Sequence, residues 1–184
     1  MNKEINELAK TINSNDLILV AGRTYTGKTF FSLKLASEIA SENNKKILFF
    51  NFESSPEFLY SRIKERLNDS YLNENLNIIN GLDTKSMNDI KKFLEESKDI
   101  DIVIIDYIEL LEIRFNIQES NDVLRELKSI AVEYNVPIII LSQLRKEADG
   151  IKPTLEHLQN VSIDANIPDR IIFTYIEYSF NVSK

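Results

Sequence analysis

Residues 17–31, LILVAGRTYTGKTFF, constrain the fold of this chain more than any other stretch. The unbroken apolar run from Leu17 to Ala21 suits a strand buried on both faces. From about Lys28 the pattern turns helical, and in KTFFSLKLASEIASEN the residues Phe30, Leu33, Ala36, Ile39 and Ala40 fall along one face. Strand, glycine-bounded turn and helix in immediate succession form one unit of an α/β fold.

The turn has the spacing G-x-x-x-x-G-K-[ST], completed by Gly22, Gly27, Lys28 and Thr29, which is that of a phosphate-binding loop. A polyphosphate must be met by many donors in a small volume, and backbone amides serve best. Gly22 and Gly27 lack a Cβ, so the chain can turn tightly and bring its amides close to phosphate oxygens. The helix that opens at Lys28 adds its N-terminal amides and dipole. Lys28 is placed to reach the terminal phosphates, and the Thr29 hydroxyl to ligate Mg2+. Arg23, Thr24, Tyr25 and Thr26 fill the variable positions and Phe30 closes the candidate nucleotide-binding stretch, with Tyr25 either touching nucleotide or covering the site. An ordinary glycine turn is the alternative; the strand before and the helix after favour the binding loop.

Further along, KILFFNF (46–52), LNII (76–79), DIVIID (101–106), PIIILS (137–142) and RIIFTY (170–175) read as short strands. Helical patterns lie between them, such as Val123, Leu127, Ile130, Ala131 and Tyr134. The alternation predicts an α/β domain with a mostly parallel central sheet and helices on both faces. Ligands collect at the carboxyl ends of strands in such sheets, and three strands end there in polar residues. Asp106 follows four apolar residues, the pattern of a Walker B carboxylate that holds Mg2+ through its water shell; a cap or turn is the alternative. Glu53 is a candidate general base for the attacking water, or else a carboxylate opening the next helix. Gln143, beside Ser142, suits a sensor of the γ-phosphate, or is a loop amide.

Composition narrows the class. At 184 residues, 43% hydrophobic and 28% charged, the chain is long enough for one domain with an adequate core, and four glycines and four prolines leave no linker in view. The chain has no cysteine, which excludes disulfides and thiolate metal sites, and the single His157 cannot build a histidine cluster, which makes it a surface or loop residue. MNKEINELAKTINSND lacks the apolar core of a signal peptide, and no apolar run approaches the roughly 18 residues of a membrane span, so a cytoplasmic protein without membrane contact is expected. A net charge of −7 argues against a broadly basic nucleic-acid face. SRIKER (61–66) and LRKE (144–147) are expected as solvated faces.

Four of these stretches together carry a family resemblance. LILVAGRTYTGKTFFSLKLA, ILFFNFE, IVIIDYIELL and LKSIAVEYNVPIIILSQL resemble, in order and spacing, the motifs of the RecA-like ATPase domain of DnaB-type replicative helicases. KPTLEHLQNVSIDANIPDRIIFTY resembles the next segment more loosely, and the likeness covers residues 16–176. It implies a RecA-like P-loop NTPase over residues 16–184, preceded by a short helical arm over 1–15. It implies ATP and Mg2+ as cofactors, with Lys28, Glu53 and Gln143 catalytic and Thr29 and Asp106 at the metal. Single-stranded DNA is implied as a partner, and a homo-oligomer in the form of a hexameric ring with ATP between neighbours.

The sequence also departs from that pattern. The family carries a separate N-terminal domain and a glycine-rich entry before the first strand, where this chain has MNKEINELAKTINSN. Its Ile5, Leu8, Ala9 and Ile12 form a helical stripe expected to cap the chain's own core rather than a neighbour. EIRFNIQESND is short for the loop after DYIELL, and Gln159 stands where the family tends to have an arginine. The family places a lysine and an arginine finger beyond RIIFTY, whereas this chain reads EYSFNVSK there; such a finger is worth about 10³–10⁵ in turnover. These departures set a second expectation beside the helicase motor: a slow, nucleotide-dependent switch or accessory ATPase acting on a helicase-like protein partner.

Overall fold

The computed structural model describes residues 2–41, 46–66, 75–81, 84, 86–97, 100–115, 119–146, 151–159 and 161–175. Six strands make one sheet: β1 (Leu17–Gly22), β2 (Lys46–Asn51), β3 (Leu76–Asn80), β4 (Ile100–Asp106), β5 (Ile138–Gln143) and β6 (Arg170–Thr174). Their spatial order is β3-β2-β4-β5-β1-β6, and every pairing is parallel, so the expected mostly parallel sheet is wholly parallel among the described residues. The helices are α1 (Asn2–Ala9), α2 (Lys28–Ser41), α3 (Pro56–Arg66), α4 (Met87–Glu96), α5 (Ile108–Phe115), α6 (Ser120–Tyr134) and the single turn α7 (Glu156–Gln159).

The apolar runs are continuous because both faces of the sheet are covered. Successive side chains of β1 point to opposite sides: Leu17, Leu19 and Ala21 join one core, Ile18 and Val20 the other. The first core is closed by α4, α5 and α6 through residues such as Ile90, Leu111 and Leu127. The second is closed by α1, α2 and α3 through Ile5, Leu33 and Ile63. Each such aliphatic side chain taken fully from water contributes about 1.5–3 kcal/mol. The Ile5 stripe caps its own core as expected, with Ile5 4% exposed and Leu8, Ala9 and Ile12 packed beside it.

Sheet register does the positioning. Asn51 pairs with Asp106, and Gly22 pairs with both Gln143 and Thr174, so the polar strand ends stand in one row. The opposite edge is tied down by charge. Asp169 accepts from the Leu17 amide at 2.7 Å and from Lys128 at 2.6 Å, and Asp16 accepts from Arg170 at 3.2 Å. Helix α6 ends on Asn135 in the left-handed conformation (φ 52°), whose N–H returns to Ala131 and Val132, letting β5 begin three residues later. The segment EYSFNVSK, and with it Lys184, lies outside the described residues, as do residues 116–118 of the loop after α5.

Candidate functional site

The loop between β1 and α2 is built by its own polar groups. The Thr26 hydroxyl donates to the Arg23 carbonyl at 2.7 Å and lies 2.8 Å from the Thr174 hydroxyl of β6. Gly27 has φ +85°, where a side chain would be strained, and nothing surrounds its missing Cβ. Gly22 has a different reason. A Cβ there would overlap the Thr174 hydroxyl and come within 2.6 Å of both the Thr174 carbonyl and the Thr26 hydroxyl. Both glycines were expected to open the way to phosphate; the structure assigns Gly22 to close packing between loop and β6.

The Gly27 carbonyl accepts the first helical bond of α2, from Phe31 at 2.9 Å, so the amides of the first turn have no acceptor within the helix. They open on a cavity of about 440 Å3, inside the usual range for a small-molecule site. Thr24, Tyr25, Gly27, Lys28, Thr29 and Phe30 line it from the loop side, and Glu53, Asp106 and Gln143 reach it from three other strand ends. Of the expected nucleotide-binding residues, Gly22, Arg23 and Thr26 stand behind the wall and hold its shape. Tyr25, at φ 65°, is 90% exposed.

Two groups in the cavity are shifted from their ordinary state. Lys28 donates to the Gly22 and Arg23 carbonyls, 3.0 Å each. Burial pulls its pKa down, while Asp106, Glu109 and Glu53 pull it up by a smaller amount. Asp106, 3% exposed, accepts the Thr29 hydroxyl at 2.7 Å. Burial raises its pKa to about 6; the Thr29 bond and Lys28 oppose this, while Glu53 and Glu109 add to it.

A buried carboxylate short of positive charge and touching a hydroxyl is a donor set that suits a hard cation. Among the described residues no group of three carboxylates or histidines could hold a metal by itself. A Mg2+ at Thr29 and Asp106 would therefore depend on oxygens brought by the ligand, as this ion usually does.

Three contributors escaped sequence reasoning. Asn51 accepts from the amides of Glu53 (3.2 Å) and Ser54 (3.3 Å) and donates to the Ser54 carbonyl at 2.6 Å, which shapes the loop that carries Glu53. The signal was an Asn at the end of an apolar run, an Asx-turn former, and it ends β2 one residue before the expected Phe52. Glu109, from the first turn of α5, accepts from the Ser142 hydroxyl at 2.8 Å and the Gln143 amide at 2.9 Å. Gln143 in turn donates to the Thr24 hydroxyl at 2.7 Å. Arg62, expected on a solvated face, lines the cavity instead; the rest of SRIKER that is described, apart from buried Ile63, is exposed as expected. Arg145 and Lys146 are exposed, and His157 accepts from the Thr154 amide in the short α7.

Wholly parallel sheet, glycine loop and buried carboxylate define a RecA-like P-loop domain, and a solved structure of an ATPase domain agrees. It matches with a TM-score of 0.74 over 92% of this chain and 73% of that one, at 23% identity, a likeness of fold. The sequence matches the DnaB-like helicase C terminal domain family over residues 2–73 and 65–184, and the chain belongs to that family, whose domain is a P-loop ATPase. Its relatives include a probable replicative DNA helicase of Trieres chinensis, 30% identical over 97% of this chain and 47% of that protein. The replicative DNA helicase DnaC of Bacillus subtilis is 26% identical over 94% of this chain and 45% of its own length. The chain thus spans about half the length of these relatives. No helix among the described residues is long and apolar enough to cross a membrane.

Proposed function

We propose that this domain binds Mg-ATP in the cavity beside Lys28 and hydrolyses it, in a cytoplasmic assembly that acts on single-stranded DNA. The observation that carries this reading is the contact between Thr29 and buried Asp106, next to Lys28 and within the cavity that Glu53 and Gln143 share. Lys28 leaves the Gly22 and Arg23 carbonyls and places its ammonium on the β- and γ-phosphates. Thr29 and Asp106 would hold Mg2+, which would supply charge neutralisation at the phosphate oxygens. Glu53 orients the attacking water and takes its proton as ADP leaves.

Gln143 is the coupling residue of this proposal. It touches the phosphate loop through Thr24, and together with Tyr107 it also lines a shallower depression of about 540 Å3 beside Arg145 and Lys146. Those two cations favour a phosphodiester there. Membership of this family supports oligomerisation, and the reading takes it as a hexameric ring with ATP between neighbours. The net charge of −7 favours the second reading, a slow nucleotide-dependent switch that binds a helicase-like protein partner.

The test is the ATPase rate with and without single-stranded DNA, alongside sizing with a non-hydrolysable analogue. Stimulation by DNA and ring assembly are expected; slow turnover indifferent to DNA selects the switch. Lys28→Ala should abolish tight ATP binding. Glu53→Gln should keep binding and lower kcat by about 10²–10⁴; equal loss of binding in both variants contradicts the role given to Glu53.

A further inference from the structure

Strand β4 stops pairing with β5 before β5 reaches its own carboxyl end. Backbone groups of β5 alternate between its two neighbours. Ile138 and Leu144 donate to Asp16 and Gly22 on the β1 side, at 2.9 and 3.1 Å, whereas the Pro137 carbonyl accepts from Val103 of β4 at 3.0 Å. Gln143, an even number of residues from Pro137, faces β4 as well. The β4 ladder ends at the pair Ile105 and Ile140, because the chain leaves the sheet after Asp106 and begins α5 at Ile108. A half-buried N–H left there needs an acceptor from elsewhere. Glu109 supplies it: the single oxygen Oε1 accepts from the Gln143 amide at 2.9 Å and from the hydroxyl of fully buried Ser142 at 2.8 Å.

The other side of this strand end is fastened to the phosphate loop. The Leu144 carbonyl accepts from Arg23 at 2.8 Å, and the Gln143 side chain donates to Thr24 at 2.7 Å. Residues 142–144 thus stand between two clamps, one from α5 and one from the loop. Glu109 does not line the cavity beside Lys28, whereas Gln143, which it holds, does. We infer that Glu109 is a positioning residue for Gln143: its carboxylate takes the ladder place that β4 vacates and fixes the backbone from which the amide side chain is aimed at the γ-phosphate. This rests on hydrolysis in the cavity and on the role given to Gln143 above. The clamp needs a side-chain oxygen at the right reach more than it needs a charge. A glutamine can accept both bonds, and an aspartate stops one methylene short. Turnover rather than binding should register its loss, because Lys28 and the first-turn amides hold the nucleotide while Gln143 meets the group that changes as the terminal phosphate departs.

Steady-state turnover of Mg-ATP, and the affinity for a non-hydrolysable ATP analogue with Mg2+ by calorimetry, are measured on the full chain. The proteins are wild type, Glu109→Ala, Glu109→Asp, Glu109→Gln, Gln143→Ala and the double variant of Glu109→Ala with Gln143→Ala, with thermal melts confirming that each folds. Glu109→Ala should lower kcat about 10-fold to 100-fold and keep the analogue Kd within about twofold of wild type. Glu109→Asp should resemble it, and Glu109→Gln should return kcat to within about threefold of wild type. Because Glu109 acts through Gln143, the double variant should be no slower than Gln143→Ala alone; independent roles would multiply. Where the alanine variant does not fold, Glu109→Asp with Gln143→Ala makes the same comparison. Multiplying effects, a glutamine variant as slow as the alanine one, unchanged kcat in Glu109→Ala, or a loss of analogue binding as large as the loss of kcat overturns the proposal. Wild-type kcat in Gln143→Ala overturns the role given to Gln143, and the proposal with it. Wild-type protein that turns over no ATP overturns the hydrolysis reading itself.

Discussion

A carboxylate that is 3% exposed keeps its charge only with help from neighbours. Asp106 has the Thr29 hydroxyl and the distant pull of Lys28, while Glu53 and Glu109 repel it. Its pKa in the folded protein is about 6 against 3.8 for a free aspartate. Between these values the folded chain holds a proton that the unfolded chain has released, so stability falls as pH rises through the window from about 4 to about 6. The loss amounts to about 3 kcal/mol by pH 7. Asp106→Asn has no charge to bury and can still accept the Thr29 hydroxyl. Thermal melts at a series of pH values should therefore show the variant gaining on wild type across this window and melting higher at pH 7. Parallel pH curves for the two proteins would contradict the account. The same residue shows what sequence can supply: four apolar residues and an Asp marked the position, but not that its carboxylate lies under-compensated. Likewise the pattern G-x-x-x-x-G-K-T gave both glycines one purpose, because the threonine of β6 that crowds Gly22 lies some 150 residues away in sequence.

Among the elements, α1 tests how far packing outweighs local preference. A helix of eight residues has almost no stability of its own in water, so its persistence depends on Ile5, Leu8 and Ala9 resting on the core beside α2. Ile5→Ala should cost about 2–4 kcal/mol in chemical denaturation; a cost under about 0.5 kcal/mol would mean that α1 lies outside the cooperative unit. Strands were legible because burial on both faces writes an apolar run, and α6 because its buried residues recur at helical spacing. Strand ends and polar faces were less so. Asn51 ends β2 through side-chain bonds, and Arg62 sits on a helix face that reads as solvated. Hydrophobic period gives the side of α3 that meets the sheet; it cannot give the neighbour that the polar side meets.

Across the whole molecule, β4, β5 and β1 are sealed between two cores and flanked by strands, whereas β3 and β6 each leave one edge unpaired among the described residues. Amide exchange should follow that gradient. Leu19, Ile104 and Ile139 are expected to exchange only when the entire domain unfolds, and amides of β3 and β6 much sooner. Hydrogen–deuterium exchange read by NMR checks the order, and slower exchange at either edge than in the centre would count against the description.

The pairing of Gly22 with Gln143 and of Asn51 with Asp106 makes the backbone ladder a ruler for the chemistry above it. Deleting or adding a residue inside any of these strands would carry one strand-end side chain a full notch along the scale and turn its neighbours inside out. Length can change freely only in the connections that carry no graduation mark, which divides this chain into segments where evolution may count and segments where it may not.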